Sequence, residues 1–348
     1  MCMRYGVPYK GSKNKIAEWV VSMLPGRKHF YDLFAGGCAV THAAMLSGKF
    51  GTFTMNDIDG GGPSLFLDAV RGKFRDERRW ISREDFQRLK DTDPYVRLCW
   101  SFGNNGRTYL YSREVESWKK ACHAAVVQHD YGDLEGRYGF DCSLLESGEY
   151  KSGSTYERLQ GWKRILASDS RCEYMGHGHY KFAGSPARTN VESLQSLQSL
   201  QSLESLERLE RLQSLERLER LERLERLERL QSLRGSYDDV SILPDSVIYC
   251  DIPYRGADPY GKDNGGFDHD KFYEWCGRQT EPVFISEYWM PEDRFECVAE
   301  IVKTVTLCSG AGKHAVERLY VPRSQVRLQK SLRRESRMQL EFDFGQEK

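Results

Sequence analysis

Two short stretches carry side chains whose types and spacing could do chemistry. The first is YDLFAGG, residues 31–37, in which Asp32 and Phe34 lead into Gly36 and Gly37. Paired glycines between a strand and a helix let backbone donors and the helix N-terminus come close to a bound cofactor. Asp57, in TMNDID, follows about 25 residues later, the spacing at which an acid closing the next strand meets ribose hydroxyls. A nicotinamide cofactor is a poorer fit, because the G-x-G-x-x-G spacing is absent. The second stretch is VIYCDIPYRG, residues 247–256, an apolar run that stops on Asp251 and continues through Ile252, Pro253 and Tyr254. It offers a carboxylate, a backbone carbonyl and an aromatic ring within four residues. The plainer readings are a βα turn with a surface acid, and a strand end followed by a proline turn. Cys172, His177 and His179 in RCEYMGHGHY come nearest to a metal cluster. Loop or strand histidines are the favoured reading there, and no metal is expected.

The elements that must position these residues are legible from periodicity. Ile16, Trp19, Val20, Met23 and Leu24 share one helix face, which predicts a helix over 13–24 with Ser12 as N-cap and Pro25 as the stop. HFYDLF reads as a short buried strand, AVTHAAMLSG as a helix closed by Gly48, and GTFTMND as a second strand, together one β-α-β unit. From about 60 to 190 the pattern turns aromatic, charged and helical. There WSFGNNGRTYLY (100–111) reads as a turn between two short aromatic strands. After 245, DSVIYCD, PVFISEYW, IVKTVTL and RLYV read as strands, with FDHDKFYEWCGRQ as an intervening helix. The second half thus completes the sheet begun in the first.

Between the halves, leucine recurs at every third position from Leu194 to Leu233. The residues favour helix and Glu faces Arg at i+4. A three-residue period nevertheless steps each leucine back by about 60° on a helix of ~3.6 residues per turn. No single face stays apolar, which excludes a heptad coiled coil. A solvent-projecting, frayed helix is the favoured expectation, with disorder or a repeat-like extended packing as the alternatives, and the segment is expected to be dispensable for activity.

The 348 residues suit one large α/β domain with a smaller one. No run of ~18 apolar residues and no basic-then-apolar leader is present, so neither export nor membrane insertion is expected and the chain reads as cytoplasmic. Ten scattered cysteines without a C-x-x-C pair argue against a zinc ribbon. Net charge is zero, yet Lys10 to Lys28 holds five basic residues against one acid, and Arg323 to Arg337 six against one. Basic patches can therefore form locally.

In order along the chain, YKGSKNKIAEWVVSMLP, FYDLFAGG, MNDID and VIYCDIPY resemble the Dam-like class of adenine-N6 DNA methyltransferases, with PVFISEYW and SGAGKHAVERLYV as its later strands. The resemblance spans 5–60, more loosely 95–111, and 236–322. It implies an α/β fold, a Rossmann-like class I methyltransferase sheet with a mostly helical target-recognition insert and a low-complexity leucine-triplet repeat. The implied layout is a catalytic domain over 1–60 and 236–325, recognition over 61–190, the repeat over 191–235 and a basic tail over 326–348. It implies S-adenosylmethionine as cofactor, held by Tyr9, Lys13, Asp32, Phe34, Gly36, Asp57 and Asp251, with Tyr237 and Asp238 on an adenine-side pocket strand.

In the same class Asp251 opens the D-P-P-Y motif. Adenine's exocyclic amine is a poor nucleophile because its lone pair is delocalised into the ring. Acceptors on its N–H groups, the Asp251 carboxylate and the carbonyl of residue 252, would make the nitrogen more tetrahedral for an in-line displacement. The base must first leave the duplex, and Tyr254 is its expected platform. Ile252 departs from the motif's proline: it keeps the carbonyl but loses the ring that fixes φ, while Pro253 still favours extended geometry at 252. A catalytically impaired relic that only binds DNA or cofactor is the rival expectation. Double-stranded DNA is the implied partner, contacted by Asn104, Asn105, Arg107, Tyr109 and Tyr111. Gln339 to Phe344, in MQLEFDF, resembles the peptides that dock on bacterial sliding clamps, against a plainer reading as tail. A monomer, encoded by a bacterium or a bacteriophage, is expected.

Overall fold

The computed structural model describes residues 5–176, 179–182, 208, 209, 213, 229–254, 266–305 and 313–326. The sliding-clamp-like segment, most of the repeat, His177 and residues 306–312 lie outside these. The chain divides into two units: Met1–Gly6, Gly11–Leu67 and Glu222–Lys348 form the first, and Val7–Lys10 with Asp68–Leu221 the second.

The strands are β1 (Arg27–Asp32), β2 (Phe50–Asp57), β3 (Cys172–Gly176), β4 (His179–Phe182), β5 (Leu230–Arg234), β6 (Ser246–Cys250), β7 (Val283–Glu287), β8 (Phe295–Val305) and β9 (Lys313–Pro322). Seven of them form the sheet of the first unit, in the order β5-β2-β1-β6-β7-β9-β8. Strands β5, β2, β1, β6 and β7 run parallel, and β9 is antiparallel to both β7 and β8. Every residue of β6 and of β7 is buried. That is why these segments read as unbroken apolar runs rather than as alternating ones. From β1 the chain passes through α2 (Ala39–Leu46), which follows α1 (Ala17–Met23), to β2 on one side; from β6 it passes through the helix His269–Arg278 to β7 on the other. β1 and β6 therefore flank the topological switch point, where open α/β sheets bind ligands at the strands' carboxyl ends.

Three expectations change. α1 begins at Ala17, not residue 13, and its N-cap position, Ile16, supplies no side-chain cap. Ser12 instead accepts from the Asn14 N–H at 3.3 Å, and a turn from Lys13 O to Ile16 N precedes the helix. SYDDV is a 3₁₀ turn over Tyr237–Asp239 rather than a strand, with Ser236 bonded to Asp238 and Lys271 paired to Asp238 at 2.7 Å. The neighbouring strand is β5, built from the last residues of the leucine repeat and paired parallel to β2 from Phe53 to Asp57.

The second unit is mainly helical. Its core joins Trp118, Leu159 and Trp162, from the helices Arg113–His123 and Thr155–Ser168, with Phe140 and Leu145 from the chain between them. The second of these helices starts on a capping box of Ser154 and Glu157. The repeat contributes to this unit: Leu209 is 1% exposed in that core, Arg208 donates to the carbonyls of Cys99 and Ser101, and Gln213 to those of Phe74 and Arg75. These residues correct the solvent-projecting expectation, because a leucine at every third position still places some leucines on whichever face meets a core.

Candidate active site

Asp251 follows β6, at the switch point. Its Oδ1 lies 2.6 Å from the Nζ of Lys13, and the same amine is 3.4 Å from Oε1 of Glu317 on β9. Lys13 is delivered by the non-helical residues ahead of α1, which is the physical reason that α1 starts late. Its amine also lies 4.7 Å from the centroid of the Tyr254 ring, and the Tyr254 hydroxyl donates to Glu317 Oε1. Tyr288, just past β7, meets Tyr254 edge-on at 4.6 Å. Lys13, Asp251, Tyr254 and Glu317 thus form one bonded group. Burial works against the charge on Lys13, but the carboxylates of Asp251 and Glu317 outweigh it and hold its pKa above the ordinary value.

A further acid, Glu287, ends β7. It is 3% exposed; its Oε1 accepts the Tyr288 N–H at 2.8 Å, while its Oε2 has no hydrogen-bond partner among the described residues. Burial pushes its pKa up to about 7, with the carboxylates of Asp251 and Glu317 adding to the rise. Neither Glu287 nor Glu317 was expected from the sequence. The available signal was a lone acid inside an apolar run, in FISEYW and AVERLYV, where a charge needs a partner or a function.

On the other side of the switch point, Asp32 ends β1 at 1% exposure. Its Oδ2 accepts the Thr41 hydroxyl at 2.8 Å, and burial raises its pKa to about 7 against that hydrogen bond. Gly36 adopts φ +47 and donates its N–H to Asp57 Oδ2 at 2.9 Å. A Cβ on Gly62 would come 1.7 Å from the Gly36 carbonyl oxygen. The glycine turn is therefore pressed against the backbone after β2, and only glycine fits at 62. Phe34 stacks on Tyr237 at 5.4 Å and meets Phe267 and Phe272 edge-on. Asn56, also missed by sequence reasoning, is 1% exposed and donates to the carbonyls of Leu33 and Gly235. Asp32 Oδ1 and Asn56 Oδ1 are buried acceptors without a hydrogen-bond partner among the described residues. Tyr9 falls in the short segment Val7–Lys10 that groups with the second unit.

Ile252 is 2% exposed and packs in the core cluster with Phe272, Ile285 and Met290. The residue that replaces the motif's proline is thus anchored by its side chain, while Asp251 and Tyr254 on either side remain partly exposed.

In the second unit, residues 100–111 form no pair of strands. A single bridge joins Ser101 and Tyr109, and a 3₁₀ turn spans Phe102–Asn104. Asn104 donates to the Leu98 carbonyl at 2.8 Å, and Asn105 Oδ1 accepts the N–H groups of Arg107 and Thr108. These amides hold the loop's own shape. Tyr109 is buried with its hydroxyl on the Ile81 carbonyl, and Tyr111 is buried parallel to Trp80 at 5.8 Å. The expectation that both rings face DNA is corrected, because a small unit fills its core with its largest apolar surfaces. Of the five residues named for DNA contact, Arg107 is the exposed one, beside Phe102 at 58% exposure. No cluster of three metal-ligating side chains occurs among the described residues.

Residues 9–116, about a third of the chain, match the family model of D12 class N6 adenine-specific DNA methyltransferases. Over those residues the chain is similar to that family. The match stops before Asp251, so the D-I-P-Y group rests on the geometry above. No curated protein matches the chain. No described helix is long and apolar enough to cross a membrane.

Proposed function

We propose that this enzyme transfers a methyl group from S-adenosylmethionine to the N6 amine of an adenine flipped out of duplex DNA. The observation that carries the reading is the Lys13–Asp251 pair at 2.6 Å, with the Tyr254 ring beside it, at the carboxyl end of β6. When bound, the cofactor supplies an electrophilic methyl group on a sulfonium sulfur. The residues present fit such a group: Asp32 Oδ1 and Asn56 Oδ1 are buried acceptors suited to its ammonium and hydroxyls, Phe34 and Tyr237 offer stacked rings, and Gly36 and Gly62 keep the backbone bare. Asp57, which already accepts from Gly36, is assigned to the ribose side.

Asp251 and the carbonyl of Ile252 accept the two N–H groups of the incoming amine, drawing its lone pair out of conjugation. The Asp251 carboxylate then takes the proton that the amine loses on methylation. Tyr254 is the ring on which the flipped base stacks. Lys13, assigned to the cofactor by resemblance, acts instead on Asp251, where its amine is already engaged. The burial of Ile252 weighs against an impaired relic, since packing restrains the backbone that the missing proline would have fixed. Arg107 is the proposed phosphate contact of the second unit. The test is incubation with tritium-labelled S-adenosylmethionine and mixed-sequence duplex DNA, then base analysis. Label in N6-methyladenine is expected; cofactor binding without any labelled base would defeat the reading.

A further inference from the structure

Glu317 sits on β9, the strand that runs antiparallel between β7 and the edge strand β8, and its side chain is wholly buried. An isolated carboxylate there would be costly to keep ionised. One of its oxygens, Oε1, receives the Tyr254 hydroxyl and faces Lys13 Nζ at 3.4 Å, and Lys13 in turn bonds Asp251 at 2.6 Å. The bracket closes over the two ends of D-I-P-Y from segments far away in sequence. Replacing such a group with apolar residues of similar volume is often neutral or stabilising, so buried charge of this kind is poor evidence for a purely structural role.

We propose that Glu317 is a positioning residue for methyl transfer: through Lys13 it sets the carboxylate of Asp251, and through the Tyr254 hydroxyl it sets the ring, holding the amine acceptor and the base platform in register. This rests on the function proposed above and adds to it a residue outside the D-I-P-Y stretch. The bracket does by side chains what a second proline would do by backbone, which accounts for isoleucine at 252. Lys13 is faced by Asp251 after β6, by Glu317 on β9 and by the ring of Tyr254, so two carboxylates share one ammonium, whose charge also acts on Glu287 at the end of β7.

The test uses full-length wild type, Glu317→Gln and Glu317→Ala. The glutamine keeps an acceptor for the Tyr254 hydroxyl and removes the charge; it also covers the case in which the alanine variant does not fold. Two readouts are needed. In protein carrying ¹³C-labelled lysine, the Lys13 signal, assigned with Lys13→Arg, reports its titration without any turnover. Loss of one of the carboxylates that oppose desolvation moves that titration to lower pH in Glu317→Gln. Single-turnover methyl transfer falls about 10- to 100-fold, the loss expected for one charge-assisted hydrogen bond, with cofactor affinity unchanged and the alanine variant worse than the glutamine. A folded Glu317→Gln protein with unchanged Lys13 titration, or with lowered titration and a wild-type transfer rate, overturns the assignment. If the wild type itself transfers no methyl group, the proposed function fails first and the assignment falls with it.

Discussion

Replacing Ile252 by alanine separates two roles that a motif residue can play. The side chain is 2% exposed in a cluster with Phe272, Ile285 and Met290, so its truncation removes buried methyl groups and leaves a cavity. Such changes cost ~2–5 kcal/mol. In a unit of this size that corresponds to a fall in melting temperature of roughly 4–20 °C, at ~2–4 °C per kcal/mol. The role assigned to residue 252 in transfer is its carbonyl, which alanine retains. Calorimetry is therefore expected to show a clear loss of stability in Ile252→Ala. Single-turnover methyl transfer, assayed well below the lowered transition, should stay within a few-fold of wild type. A variant as stable as wild type would refute the packing argument. A stable, folded variant as inactive as Asp251→Ala would refute the assignment to the carbonyl.

Other consequences follow from burial. Glu287 and Asp32 both have folded-state pKa values raised to about 7 by burial, so the stability they contribute is fully present below about pH 4 and is lost as pH rises toward and through 7. Glu287→Gln is expected to flatten the decline between pH 4.5 and 7.5 by up to a few kcal/mol; urea unfolding at a series of pH values checks it, and an unchanged slope would contradict the buried-acid account. Leu209→Ala should destabilise the second unit by ~2–5 kcal/mol despite lying in a low-complexity repeat, as followed by hydrogen exchange in the helix Arg113–His123; exchange identical to wild type would restore the repeat to a dispensable insert.

The sheet was legible where apolar runs are bounded by turn residues: HFYDLF, GTFTMND and SVIYC all became strands within one or two residues of their expected limits. What was hidden has a common physical origin in contacts distant along the chain. The late start of α1 depends on Lys13 reaching Asp251, 238 residues away. Strand β5 is built from LQSLR, whose local preference is helical, because pairing with β2 outweighs propensity. β8 begins at Phe295, ahead of the expected IVKTVTL, since FECVAE has little strand character until β9 lies beside it. The candidate site divides the same way. Asp32, Gly36, Asp57, Asp251 and Tyr254 stand out in local patterns, whereas Asn56, Glu287 and Glu317 acquire meaning only from the groups that surround them. Tyr109 and Tyr111 misled for the converse reason: an aromatic ring in a polar loop looks like a binding surface until a core is found to enclose it.

Asp251 is assigned to the transferring amine rather than to cofactor affinity. The most direct measurement is single-turnover transfer of labelled methyl to duplex DNA by wild type and Asp251→Ala, with cofactor affinity measured on the same preparations and folding checked by circular dichroism. Loss of a group that stabilises charge developing in the transition state costs roughly 100- to 1,000-fold. A loss of about that size on adenine N6 is expected, with cofactor affinity changed by no more than a few-fold. Equal labelling by both proteins, or a loss explained entirely by weaker cofactor binding, would contradict the assignment.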